Sequence, residues 1–273
     1  HSRRRLVRIF EERCEGPHAD ETGRIAWENL AHIALQLGDT NELERLASRL
    51  EERRCSFGQG QAAEVDCTKP ENAEEPICRA SGIRTAIEYR RAMEIYAQAE
   101  KETGETRTKL FERAATLLVV AVNKTPDNPQ APIALELAAS ALEKTQRFDS
   151  AARLYQRILD EVGPRVGETP EEQERLDAIV SNAYFQLAAN ANRFFDFDKA
   201  VANYRILADS PRFARSTDPN MKARRVDALV NAAIIYERLG RYAEAKRYFE
   251  RVYQTVDDPE TKRLALYRIA EID

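Results

Sequence analysis

No apolar run in this sequence is longer than Leu117-Leu118-Val119-Val120-Ala121-Val122, far short of the roughly 18–20 residues that span a bilayer. No transmembrane helix is expected. Charge of one sign is also lacking: 42 Lys plus Arg face 46 Asp plus Glu, a formal net charge of −4. Binding to a phosphate backbone wants a clear cationic excess or a basic patch, so no nucleic-acid partner is expected. Histidine is scarce, with His1 terminal, His18 in a loop segment and His32 in a helical one. There is no glycine-rich phosphate loop and no G-x-S-x-G nucleophile elbow. Strand-like alternation is missing as well. Carboxylates abound, but Glu11-Glu12 and Glu171-Glu172-x-Glu174 read as the solvated faces of amphipathic helices. Cys55 would be nucleophilic only as a reduced thiol of lowered pKa, and nothing near it argues for that. The reading is non-catalytic, with no cofactor and no metal. His1-Ser2-Arg3-Arg4-Arg5 offers neither an initiator Met nor an apolar signal core, so no secretory leader is expected to remain.

What the chain does have is repetition. Its 273 residues, 43% apolar and 32% charged, imply two domains or one elongated array. Near the C-terminus runs Leu229-x-x-Ala232-Ala233-x-x-Tyr236-x-x-Leu239-Gly240-x-Tyr242-x-x-Ala245-x-x-x-Phe249-x-x-Val252, with Pro259 beyond. Leu229, Ala232, Ala233 and Tyr236 recur at i, i+3, i+4, i+7 and predict one face of a first helix, here helix A. Gly240 closes that helix in the left-handed conformation. Helix B then returns with Ala245 small at the close approach and Phe249 large above it.

Four further copies share the frame. Trp27-x-x-Leu30-Ala31-x-x-Ala34-x-x-Leu37-Gly38 leads to Leu43, Ala47 and Leu50. Leu135-x-x-Ala138-Ala139-x-x-Leu142 leads to Phe148, Ala151, Tyr155 and Ile158. Tyr184-x-x-Leu187-Ala188 leads to Phe197, Ala200, Tyr204 and Leu207. The weakest copy joins Met93-x-x-Tyr96-Ala97 to Phe111, Ala114, Leu118 and Ala121, across a connection near Gly104 about five residues longer than usual. This pattern resembles the tetratricopeptide repeat. The resemblance implies an all-α, right-handed α-α superhelix with repeats at 24–57, 86–129, 132–164, 170–212 and 226–259. An N-terminal helix would occupy 1–23, and 260–273 would be a partial or capping helix. The Leu264, Leu266, Ile269 stripe there points to a short cap or to a fragment of a longer protein. Asn128-Pro129, Thr169-Pro170, Asp218-Pro219 and Asp258-Pro259 each predict a capping side chain before Pro at the first helical position. Thr169 and Glu172 have capping-box spacing, and their helix is expected to run to about Asn192.

Residues 55–82 stand apart. They hold Cys55, Cys67 and Cys78 with Pro70, Pro76 and Gly82, lack helical periodicity, and read as a loop inserted between the first two repeats. Cys67–Cys78 is expected as a local clip and Cys14–Cys55 as a second disulfide, which suits an oxidising compartment. Four free thiols in a cytosolic protein are the other reading. Zinc has little support, since Cys14-x3-His18 has no C-x2-C or H-x3-H companion.

By the same resemblance, helix A of each repeat lines a concave groove for a protein or peptide partner. The groove positions are Glu28, Asn29 and His32; Arg91, Glu94 and Gln98; Glu136, Ser140 and Glu143; Asn182, Phe185, Gln186, Ala189 and Asn192; and Val230, Asn231 and Ile234. The family's Lys/Asn carboxylate clamp is missing, because the matching pairs are Glu28/His32, Glu94/Gln98 and Glu136/Ser140. A bound segment should be neutral or basic toward the N-terminal half and apolar toward the C-terminal half. The expected function is a protein–protein interaction scaffold. It resembles periplasmic and outer-membrane-associated assembly factors of bacterial secretion and motility machines. A cytosolic adaptor and the helical arm of a larger enzyme are the alternatives.

Overall fold

Asp20, in extended conformation, accepts the Gly23 backbone N–H at 3.1 Å and starts the first long helix of the chain. The computed structural model describes residues 2–14, 19–51, 57, 67 and 75–272, and no strand occurs among them. Two compact units divide the chain, His1–Glu94 and Ile95–Asp273.

The first unit contains α1 (Ser2–Arg13), α2 (Glu21–Leu37), α3 (Thr40–Glu51) and most of α4 (Pro76–Lys101). Its core gathers Phe10, Cys14, Trp27, Leu30, Leu46, Leu50 and Ala80. Trp27 is 1% exposed and donates its ring N–H to the Leu46 carbonyl at 3.0 Å, so its polar edge is satisfied inside. α2 ends at Gly38, whose φ of +67° places it in the left-handed region.

The expected loop 55–82 is shorter than its composition implied. α4 begins at Pro76, because the Glu75 carbonyl accepts from Cys78 and Arg79 at 3.0 Å and Pro gives up no hydrogen bond at a first-turn position. Gly82 is therefore helical. Phe57, though part of the inserted sequence, is buried in the core. Cys67 and Cys78 form a disulfide with Cα atoms 5.2 Å apart. Cys14 is also disulfide-bonded. Cys55, its expected partner, lies outside the described residues.

The second unit takes the end of α4 and continues through α5 (Gly104–Lys124), α6 (Ala131–Lys144), α7 (Phe148–Glu161), α8 (Pro170–Arg193), α9 (Phe197–Asp209), α10 (Pro211–Ala214), α11 (Pro219–Arg238), α12 (Tyr242–Thr255) and α13 (Pro259–Ile272). Packing is sequential. α5 meets α6, α6 meets α7, and the pattern continues to α12 on α13, while the A helices α6, α8 and α11 also touch in turn. This is an all-α helix-hairpin solenoid. Ala114, Ala151, Ala200 and Ala245 are fully buried at equivalent places in the B helices, with Leu118, Tyr155, Tyr204 and Phe249 buried one turn on. An alanine lets two backbones approach, and the aromatic fills the space beyond.

Three hairpin turns are built alike. Gln146, Phe195 and Gly240 all adopt φ between 62° and 69°. The next residue's N–H reaches back to the Leu142, Ala191 and Tyr236 carbonyls at 2.8, 2.8 and 2.9 Å, the six-to-one bond of a Schellman cap.

Several expectations change in this unit. The α4–α5 connection is only residues 102–103, because the extra sequence lengthens the two helices instead. Asn128 does not cap a helix at Pro129; its Oδ1 accepts the Gln130 N–H at 2.8 Å in a turn, and α6 starts at Ala131 with Pro132 in its first turn. Thr169, Asp218 and Asp258 do cap as expected. Glu172 reaches back to the Glu168 N–H, one residue before the cap. Leu264 and Leu266 are exposed and Ile269 is only half-buried; Ala265 is the buried contact of α13. The short α10, which carries buried Phe213 against Tyr184, had no periodic signal because four residues complete barely one turn.

Candidate functional site

The A helices α6, α8 and α11 share one face of the second unit, and a chain of polar side chains crosses it. Tyr96 and Ser140 hydrogen-bond through their hydroxyls at 3.0 Å. Asn182 of α8 donates to Glu136 Oε1 of α6 at 2.7 Å. Arg224 of α11 donates to Ser181 Oγ at 2.8 Å and to the Ala178 carbonyl at 3.3 Å, tying α11 to α8. Toward the other end of α6, the Tyr155 hydroxyl donates to Glu143 Oε2 at 3.0 Å. Phe185 stands edge-on to Tyr204, with ring centroids 5.5 Å apart. Val230, Asn231 and Ile234 are half-buried on α11.

The electrostatics of this face are unusual. Burial pushes the Glu136 carboxyl above the ordinary carboxylate range, against the pull of the Asn182 hydrogen bond and the Arg224 charge. Burial does the same to Glu143, against Tyr155, Arg193 and Lys144. Arg224 is pushed down, again by burial. Neither Glu136 nor Glu143 has a cation in ion-pair contact among the described residues. Asn192, equally on this face, keeps a buried side-chain oxygen with no donor.

The expected groove residues separate into two groups. Glu136, Ser140, Asn182, Phe185, Gln186, Ala189, Asn192, Val230, Asn231 and Ile234 lie on the second unit's A helices, and Glu136 and Asn182 meet directly. Residues of the first unit are engaged locally. Glu28 pairs with Arg24 and with Arg79 at 3.2 Å. Asn29 donates to the Ile25 carbonyl, and His32 meets Gln36 at 2.9 Å. Arg91 turns to Glu44 on α3 at 2.5 Å, and Glu94 to Arg90 at 3.2 Å. Gln98 is exposed near the end of α4. Sequence reading missed Tyr155, Ser181 and Arg224 as members of this network. Tyr155 had been assigned to the core, and Arg224 resembles any solvated arginine in the first turns of a helix.

Among the described residues, no group of three or more His, Cys, Asp or Glu is placed to hold a metal ion. No helix among them is long and apolar enough to cross a membrane.

Consecutive hairpins with equivalent alanines and equivalent left-handed turns define a helix-hairpin repeat protein. Residues 226–256, which hold most of α11 and all of α12 with its C-cap Val256, match the family model of the tetratricopeptide repeat. The match covers this one hairpin, and the α6–α7 and α8–α9 hairpins share its left-handed turn and its buried alanine. No curated protein matches the chain.

Proposed function

We propose that the chain is a non-catalytic scaffold whose α6–α8–α11 face receives a segment of a partner protein in an extracytoplasmic complex, such as a bacterial secretion or motility machine. The observation that carries this reading is the row of half-buried, incompletely satisfied polar groups on a face built from three successive A helices. A self-sufficient surface would leave such groups in water or pair them internally. The disulfides at Cys67–Cys78 and Cys14 support an oxidising compartment.

Photo-crosslinking tests the face. A photoreactive residue at Val230 or Ile234 should capture a defined partner in cells of the source organism, and one at exposed Leu117 on α5 should not. Equal capture from both places overturns the assignment. Mass spectrometry of the native protein without reductant tests the compartment: four free thiols would move the scaffold to the cytosol.

A further inference from the structure

The three left-handed turns of the second unit lie side by side. The Phe148 ring, beside the first turn, meets Phe194 of the second edge-on, with centroids 6.1 Å apart. Asp198, beside the second, meets Arg241 of the third at 3.5 Å. Along this edge the sequence departs three times from what the fold alone favours. Phe195 holds φ at 62° with a bulky side chain, where the third turn uses Gly240. Its ring is also 78% exposed, and Phe194 beside it is 58% exposed. Finally, Arg147 and Arg241 stand at the N-caps of α7 and α12 without a side-chain cap bond. Asp196, at the same place before α9, caps that helix by accepting the Lys199 N–H at 3.3 Å. A cation at a helix N-terminus opposes the helix dipole, so neither arginine serves the helix it begins. Local rules broken together, with no gain to the fold, mark a place shaped by function.

We propose that this edge rests on a lipid bilayer with anionic headgroups, and that Phe194 and Phe195 enter its interface. The aromatic turn sits between two basic ones. The matching turns 144–147, 193–196 and 238–241 carry Lys144, Arg147, Arg193, Arg238 and Arg241 against the single carboxylate of Asp196. Carboxylates just before the two basic turns face other partners: Glu143 accepts from the Tyr155 hydroxyl, and Glu237 accepts from Arg268. The ion pairs of Arg147 with Glu112, at 3.7 Å, and of Arg241 with Asp198 are solvent-exposed. Pairs of that kind are weak enough to give way to phosphates. In such a contact the rings reach the boundary of headgroups and acyl chains while the cations meet the phosphates around them. A ring as exposed as Phe195 stands out from the fold. A bilayer receives it without a preformed pocket, which an acidic protein surface would need. The proposal does not depend on what the α6–α8–α11 face binds.

Co-sedimentation with vesicles provides the test, using phosphatidylcholine alone and phosphatidylcholine with about one third phosphatidylglycerol. The protein should sediment with the anionic vesicles and stay in solution with the neutral ones. Phe195→Gly should weaken vesicle binding roughly tenfold or more by removing one ring from the interface. It should not lower the melting temperature, because glycine relaxes the left-handed turn. Arg147→Ser with Arg241→Ser should weaken binding roughly twenty-five-fold, about fivefold for each cation at an anionic surface, while serine improves both caps. Val166→Ser, on the exposed α7–α8 connection, should leave binding unchanged. Failure to sediment, equal sedimentation with both vesicles, or equal loss from Val166→Ser and Phe195→Gly overturns the proposal. So does a photoreactive residue at Phe195 that captures a protein and no lipid, since an acidic partner would then occupy the edge. Crosslinks from Val230 and Ile234 report separately on the scaffold reading, so either reading can fall alone.

Discussion

Asn182 on α8 and Glu136 on α6 are joined by a 2.7 Å hydrogen bond, so a neutral amide holds an ionisable carboxylate where the two helices meet. Burial lifts the Glu136 pKa, and lifts that of Glu143 two turns along the same helix. For both groups the folded value lies above the ordinary 4.5. The native state therefore holds these protons at pH values where the unfolded chain has released them, so their contribution is favourable below the unfolded value and is lost as pH rises through the folded values, leaving a net penalty at neutral pH. The double variant Glu136→Gln/Glu143→Gln should melt higher than the parent at neutral pH and level with it near pH 4.5, by calorimetry. A gain of equal size at both pH values would show that ionisation is not the cause.

The shared turn geometry makes a second prediction. Gln146 sits at φ 62° where Gly240 sits at 69°. A residue with a Cβ gives up roughly 1 kcal/mol in that region relative to glycine. Gln146 is exposed, and no hydrogen bond of its side chain offsets the cost. Gln146→Gly should raise stability by about 1 kcal/mol, less whatever the freer unfolded chain takes back. Gly240→Ala should lower it by a similar amount, since open space around Gly240 leaves backbone conformation as the only obstacle. Chemical denaturation of the two variants checks both signs.

These turns also mark the boundary of what the sequence disclosed. Gly240 and Gly38 announced their conformation, but Gln146 and Phe195 adopt it with no local signal, so only the alignment of Ala151 and Ala200 with Ala245 located those turns. The hairpins were legible because small and large residues recur at helical spacing and each packing place tolerates few side chains. The insertion was half legible. Cys67 found Cys78, whereas buried Phe57 could not be told from a surface phenylalanine, because burial there depends on a core assembled from α1, α2, α3 and α4. The polar network was the least legible part. Glu136, Asn182 and Arg224 lie up to 88 positions apart in sequence (224 minus 136), and no period links residues that meet only because three helices stack.

All four cysteines and the single tryptophan belong to residues 1–94. The Cys67–Cys78 bridge closes a short loop, with a sequence separation of 11, and a cross-link of that span restricts the unfolded chain by roughly 3 kcal/mol. Trp27 is buried among Phe10, Leu30 and Leu46 in the same core. A reductant, or Cys67→Ser with Cys78→Ser, should lower the midpoint of the tryptophan fluorescence transition. The helical signal of residues 95–272, which contain no cysteine, should melt where it did. If both signals shift together, the disulfide supports the whole chain and not the first unit alone.

Glu174 titrates with the opposite sign to Glu136. Its Oε1 accepts from Thr217 Oγ1 at 3.0 Å, Ser216 Oγ at 3.1 Å, and the backbone N–H groups of Asp218 and Thr217 at 3.0 and 3.1 Å. One oxygen thus gathers the link between α10 and α11 onto α8. The Thr217 hydroxyl first, then Ser216 and the Asp218 N–H, hold the carboxyl below its ordinary 4.5. A depressed folded pKa means stability that is present above the unfolded value and lost as pH falls through the folded one. Glu174→Ala should therefore lower the melting temperature of the second unit at neutral pH and flatten its decline on acidification. Glu174→Gln keeps an acceptor oxygen, so it should fall between Ala and the parent. Melting curves recorded on both sides of pH 4.5 separate this from a simple packing loss, which would lower stability by the same amount throughout. An unchanged acid slope in Glu174→Ala would mean that the four donors hold the link without help from the charge.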